Sequence, residues 1–208
     1  MSRYNDEEIK IAIEVWKKTI DVQQHFNEIC MKIRNVYVTL LAALIALLGA
    51  ILVRAEDPFF YVFGFQVHSA AIVLFAILVG SLLFYFIDLH WYHRLLVGSV
   101  KNGLDLESKF PEIFGSGLTK SIGDNSPLDL SSASFENWFL YRLALVLRTD
   151  TKRVRDTKKL HSDAKLAIFY KSVAYLALIV LILTCIYGGI KRPEAVVTRL
   201  PEVTSTQG

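Results

Sequence analysis

Three stretches of nineteen residues contain no charged side chain: Asn35 to Val53, Ser69 to Ile87 and Ser172 to Ile190. An α-helix rises about 1.5 Å per residue, so each stretch reaches about 30 Å, the thickness of a bilayer's hydrocarbon layer. Such runs, in a chain that is 53% hydrophobic, predict an all-α integral membrane protein with three transmembrane helices. Long cytoplasmic helical extensions are expected on spans one and two. The first apolar run follows a charged segment of some thirty residues, which is not the layout of a cleavable signal peptide.

The distribution of Lys and Arg orients the spans. Six precede the first span, only Arg54 lies between spans one and two, and twelve fall between span two and Lys165. The positive-inside rule then places the N terminus and the central region in the cytoplasm. The expected order is a cytoplasmic amphipathic helix (1–34), span one (35–53), an outer loop (54–68) and span two (69–89). A cytoplasmic helical region (90–171) with a flexible loop at 110–133 follows, then span three (172–190) and a disordered outer tail (191–208). Phe59, Phe60, Tyr61, Phe63 and Phe65 in the outer loop are expected at headgroup level. Cys30 and Cys185 lack the spacing of a disulfide framework or metal site and read as packing residues.

The N-terminal arm shows a capping pair, Asn5 with Glu8, and an apolar stripe through Ile9, Ile13, Trp16 and Ile20 that shifts to Phe26, Ile29 and Ile33. Its six basic and six acidic residues cancel, which favours packing on protein over binding to a charged surface. Gln23, Gln24 and His25, where the stripe shifts, either fix an interhelical register or face water. Small residues at Ala42, Ala46 and Ala50 in span one and Gly80 in span two permit close helix approach, and with Trp16 they are the candidate packing positions of a homo-oligomer.

Beyond Pro111 a glycine-rich segment follows that lacks any phosphate-loop or dinucleotide frame. Ser134 is placed to cap a helix with Phe135, Trp138, Phe139, Leu143 and Leu147 on one side. Next comes a basic tract, Lys152, Arg153, Arg155, Lys158 and Lys159. It reads as an anchor on membrane lipids; a phosphate-bearing ligand is the sharper alternative, while the missing base-stacking aromatics argue against nucleic acid.

The stretch FYFIDLHWYHRLLVGSVKNG leaves span two. On a wheel of about 100° per residue, Asp88, Trp91 and Tyr92 fall on one face and His90, His93 and Arg94 on nearly the opposite one. Two histidines without a committed third ligand make no metal site, no nucleophile elbow is present, and no enzyme activity or cofactor is expected. A carboxylate at the hydrocarbon boundary is costly unless paired, so Asp88 is expected to meet Arg34 or Lys171 in an inner-edge coupling layer.

The arm VWKKTIDVQQHFNEICMKIRN, the exit FYFIDLHWYHRLLVGSVKNG and the third-span entry LHSDAKLAIFY together give a layout similar to the SLATT superfamily of bacterial defence-associated membrane proteins. That family's core pairs two spans with a cytoplasmic helix, and the third span here departs from it. The resemblance implies an oligomeric effector in the bacterial inner membrane. Such an effector permeabilises or perturbs the bilayer when a cytoplasmic protein partner or a nucleotide ligand triggers it. The neutral N-terminal helix supports an alternative, a non-conducting anchor or scaffold that recruits soluble partners.

Overall fold

The computed structural model describes residues 4–54, 59–62 and 65–190. Helix α1 runs without a break from Asp6 to Arg54, 49 residues or about 73 Å. No proline occurs in it and its one glycine, Gly49, lies near the far end, so nothing forces a kink. The expected capping box is formed: Glu8 N–H donates to Asn5 Oδ1 at 2.8 Å, and Asn5 N–H to a Glu8 carboxylate oxygen at 3.0 Å.

Strands β1 (Phe59–Val62) and β2 (Phe65–His68) form an antiparallel hairpin in the outer loop, with Phe59 opposite His68 and their rings 5.1 Å apart. Phe63, one of the expected headgroup aromatics, and the tail 191–208 lie outside the described residues. Helix α2 (Ala70–Tyr85) passes through a π-helical segment (Phe86–Tyr92) into α3 (His93–Lys109). Helix α8 (Ser162–Ile190) starts ten residues before the third charge-free stretch. All three long helices are apolar enough to cross a membrane.

The spans pack unequally. Val73 and Ile77 of α2 meet Ala177 of α8, with Leu41, Leu44 and Leu48 of α1 against that core. Only 6% of the apolar window of α1 is buried, against 33% for α2 and 28% for α8. Spans two and three are therefore the tight pair, and most of span one needs lipid or another protein to cover it.

The expectation of a loop at 110–133 is corrected. Helices α4 (Pro111–Phe114) and α5 (Leu118–Asn125) and strand β3 (Leu128–Asp129) occupy it. Pro111 suits a first helical turn, and Gly115 and Gly117 adopt positive φ of 57° and 73° at the corner between the helices. Helices α6 (Phe135–Val146) and α7 (Thr151–Thr157) follow, then β4 (Lys159–Leu160), which pairs with β3. Ser134 caps α6 by accepting from Asn137 N–H. The expected stripe on α6 divides: Leu143 and Leu147 pack with Ala144 against Val154, Leu160, Ala164 and Ile168, while its aromatic members Phe135, Trp138 and Phe139 are exposed. Ala144 is small enough to let α6 approach α8, and the bulky aromatics are left on the outer side.

Candidate functional site

At the base of the spans, α1 and α8 converge on the π-helical segment. Arg34, just before the first apolar stretch, donates from Nε to Asp88 Oδ2 at 2.8 Å and from Nη2 to Oδ1 at 3.2 Å. Tyr170 of α8 donates its hydroxyl to the same Oδ2 at 3.1 Å. Asp88 is 0% exposed, and this forked contact with a planar guanidinium is the geometry that compensates a buried carboxylate best. One acidic side chain thus ties three long helices together.

The layer continues upward through Tyr37, whose hydroxyl lies 2.9 Å from Ser81 Oγ and whose ring is 4.9 Å from that of Tyr170. Cys30 is fully buried, in keeping with a packing role, whereas Cys185 is exposed. Lys171, the other expected partner of Asp88, turns away from it. Its Nζ donates to the Leu147 carbonyl at 3.2 Å and sits 5.8 Å from the centre of the Tyr85 ring. Sequence reasoning weighed charges and passed over Tyr170, although a tyrosine at a membrane boundary, apolar in body and polar at its tip, is a natural third partner.

The division of the span-two exit into two faces is also corrected. His93 N–H bonds to the Asp88 carbonyl, an i to i+5 contact, so a wider turn replaces the α-helical one. On an ideal α-helix residues five apart diverge by about 140°. Here Asp88 and His93 are both buried, while Trp91 is 59% exposed and stacks on Tyr92. His90 and Arg94 are exposed. Reading the stretch at a uniform period hid this, because a π-bulge fits an extra residue into one turn, which composition does not announce.

His93 Nε2 lies 2.7 Å from Asp163 Oδ1 on the first turn of α8. That hydrogen bond holds the Asp163 carboxyl below the usual range, against the opposing effect of burial. A second link therefore joins α3 to α8 just below the Asp88 node. Among the described residues no three His, Cys, Asp or Glu side chains gather as a metal site.

Further from the membrane, α1 and α3 are bolted together. Gln23 Nε2 donates to the Ser99 carbonyl at 3.2 Å, and Asn102 Nδ2 to Thr19 Oγ1 at 3.4 Å. Of the polar residues where the stripe shifts, Gln23 makes the interhelical contact, whereas Gln24 and His25 are exposed. A Cβ at Gly103 would stand 2.5 Å from Gln23 Nε2, so glycine is what permits this approach. Trp16, expected between copies, is engaged within the chain: it stacks on Phe114 with ring centres 5.4 Å apart, and its Nε1 donates to Glu107 at 3.1 Å.

Glu107 gathers the end of α3 furthest from the spans. It accepts from the backbone N–H groups of Thr119 at 2.8 Å and Lys120 at 3.2 Å, holding the start of α5 onto α3. A Cβ at residue 117 would collide with this carboxylate, which accounts for Gly117. Burial pushes the Glu107 carboxyl up, but the donors from Thr119, Trp16 and Lys120 outweigh it and hold it below the usual glutamate range. This node left no mark in the sequence, because Trp16 and Glu107 stand 91 residues apart.

The remaining candidates stay on the outside of the chain. Ala42, Ala46 and Ala50 are exposed and Gly80 is half-buried, with open space where its Cβ would be. Lys152, Arg153, Arg155, Lys158 and Lys159 are all exposed, on α7 and the turn and strand beyond it. The chain matches no protein-family model, no curated protein and no solved structure.

Proposed function

We propose that this chain is an oligomeric effector of bacterial antiviral defence in the inner membrane, which permeabilises or perturbs the bilayer when a cytoplasmic protein partner or nucleotide ligand triggers it. The observation that carries this reading is the unbroken 49-residue α1, which joins the cytoplasmic α1–α3 pair to the buried Arg34–Asp88 contact and continues through the first apolar stretch. A displacement of its cytoplasmic half is passed to the spans without a hinge. The exposed Ala42, Ala46, Ala50 stripe provides a face on which copies meet closely. The layout shared with the SLATT superfamily points the same way.

The scaffold alternative is favoured by one observation. An open groove of about 580 Å³ between α1 and α3, lined by Ile11, Val15, Val22, Phe26 and Leu95, offers apolar surface to a soluble partner. A disulfide separates the two readings. In a chain with Cys30 and Cys185 replaced by serine, Thr19→Cys with Asn102→Cys would lock α1 to α3 where these two side chains now meet at 3.4 Å. For an effector, induced expression depolarises cells, oxidation of the locked variant abolishes this and a reductant restores it. Failure to depolarise cells or to conduct in liposomes under any trigger counts for the scaffold.

A further inference from the structure

Between α3 and the first turn of α8 lies a groove of about 330 Å³, lined by His90, His93, Arg94, Lys101 and Asp163, with Gly98 in its wall. Its charge is unbalanced. Asp163 is the only carboxylate among the lining residues and is already bonded to His93. Arg94 and Lys101 meet no carboxylate among the described residues. No neighbour lies within 4 Å of where a Gly98 Cβ would be, so the wall is open at that point.

Depth decides what such a groove faces. Ile87 ends the second apolar stretch, and at about 1.5 Å per residue His90 and Arg94 lie roughly 5 and 10 Å beyond it. A bilayer's polar layer is about 5 to 8 Å thick on each side. His90 therefore stands in that layer and Arg94 about one turn below His90, within side-chain reach of a lipid phosphate, whereas Lys101, about 21 Å beyond Ile87, lies at the far end of the groove. The π-helical segment creates this placement, because it turns His93 inward and leaves His90 and Arg94 on the groove side.

We infer that this groove binds the phosphate of an anionic phospholipid headgroup, with Arg94 as its forked donor and His90 beside it. The site goes beyond the effector reading and requires only that the apolar helices span a bilayer. A planar guanidinium matches two phosphate oxygens at once, whereas a lysine contributes as a point charge. The basic tract of α7 lies on a different element and is not part of the groove.

The test uses the full chain in neutral detergent, with dioctanoyl phosphatidic acid as the probe and dioctanoyl phosphatidylcholine, inorganic phosphate and ADP as comparators. Binding is read as the shift in Tm against probe concentration. Phosphatidic acid is expected to raise Tm, with Arg94→Gln weakening binding roughly fivefold, the value of one basic residue near an anionic surface, and Lys101→Gln, at the far end of the groove, weakening it less. Arg148→Gln, exposed on the α6–α7 turn, should bind as the parent does. Arg94 and Lys101 are surface side chains, so the unliganded Tm of both variants should stay near the parent's. Tighter binding of inorganic phosphate or ADP would assign the groove to a soluble phosphate. Equal losses in all three variants, or no shift with any probe, would overturn the site altogether.

Discussion

Asp88 is the residue on which the spans depend most directly, because its fully buried carboxylate relies on Arg34 and Tyr170 to replace its water. Asp88→Ala leaves the Arg34 guanidinium without its buried counter-charge and should cost about 3 to 5 kcal/mol. Replacing both partners with apolar residues, Asp88→Leu with Arg34→Met, should recover most of that loss. Reversible unfolding in mixed detergent micelles measures both; equal losses in single and double variants would refute the pairing. His93→Ala should lower Tm more than His90→Ala, since His93 is 7% exposed and His90 lies on the surface. The sequence made Asp88 and Arg34 legible because a charge at the edge of hydrocarbon demands a partner. Tyr170 and the turn that buries His93 escaped it, since neither a neutral hydroxyl nor a π-bulge shows in charge or periodicity.

Among the elements, the joints matter more than the helices. Deleting Leu89 should convert the π-helical segment to ordinary α-helix; Asp88 and the present His93 then stand four apart on one helical face, so α3 keeps its bearing on α2. The α1–α3 contact should persist with the spans, which disulfide formation between cysteines placed at Thr19 and Asn102 would detect. Glu107 gives the other joint a pH dependence. Its folded pKa lies below the unfolded value of about 4.3, so its contribution is complete above that value and is lost as pH falls through the folded one. In a Trp91→Phe, Trp138→Phe chain, Trp16 fluorescence should report a loosening in this acid range, and Glu107→Gln should remove that dependence. The long helices were readable from their apolar runs and caps. The folding of 110–125 was not, because its short helices are held by a glutamate on another element and by glycines whose positive φ looks like flexibility in a sequence.

At the scale of the molecule, three long apolar helices rise from a base in which α1 lies along α3 and the α6–α7 unit packs on the lower part of α8. Single cysteines introduced at Lys10 and Lys120 should be shielded from an impermeant thiol reagent in intact cells, and one at Phe60 should be labelled. The reverse pattern would invert the topology. The exposed alanine face of α1 makes a matching prediction, that Ala46→Leu shifts the detergent-solubilised protein toward smaller assemblies by size and mass. The α2–α8 pairing also sets an order of events during synthesis. Strand β2 and the start of α2 emerge from the ribosome some ninety residues ahead of α8, so Val73, Ile77 and Asp88 wait without Ala177 and Tyr170. A chain that stalls before Ser162 presents a vacant seam to any apolar helix nearby, and the cell's membrane quality control should recognise it by that unfilled groove and its half-partnered carboxylate.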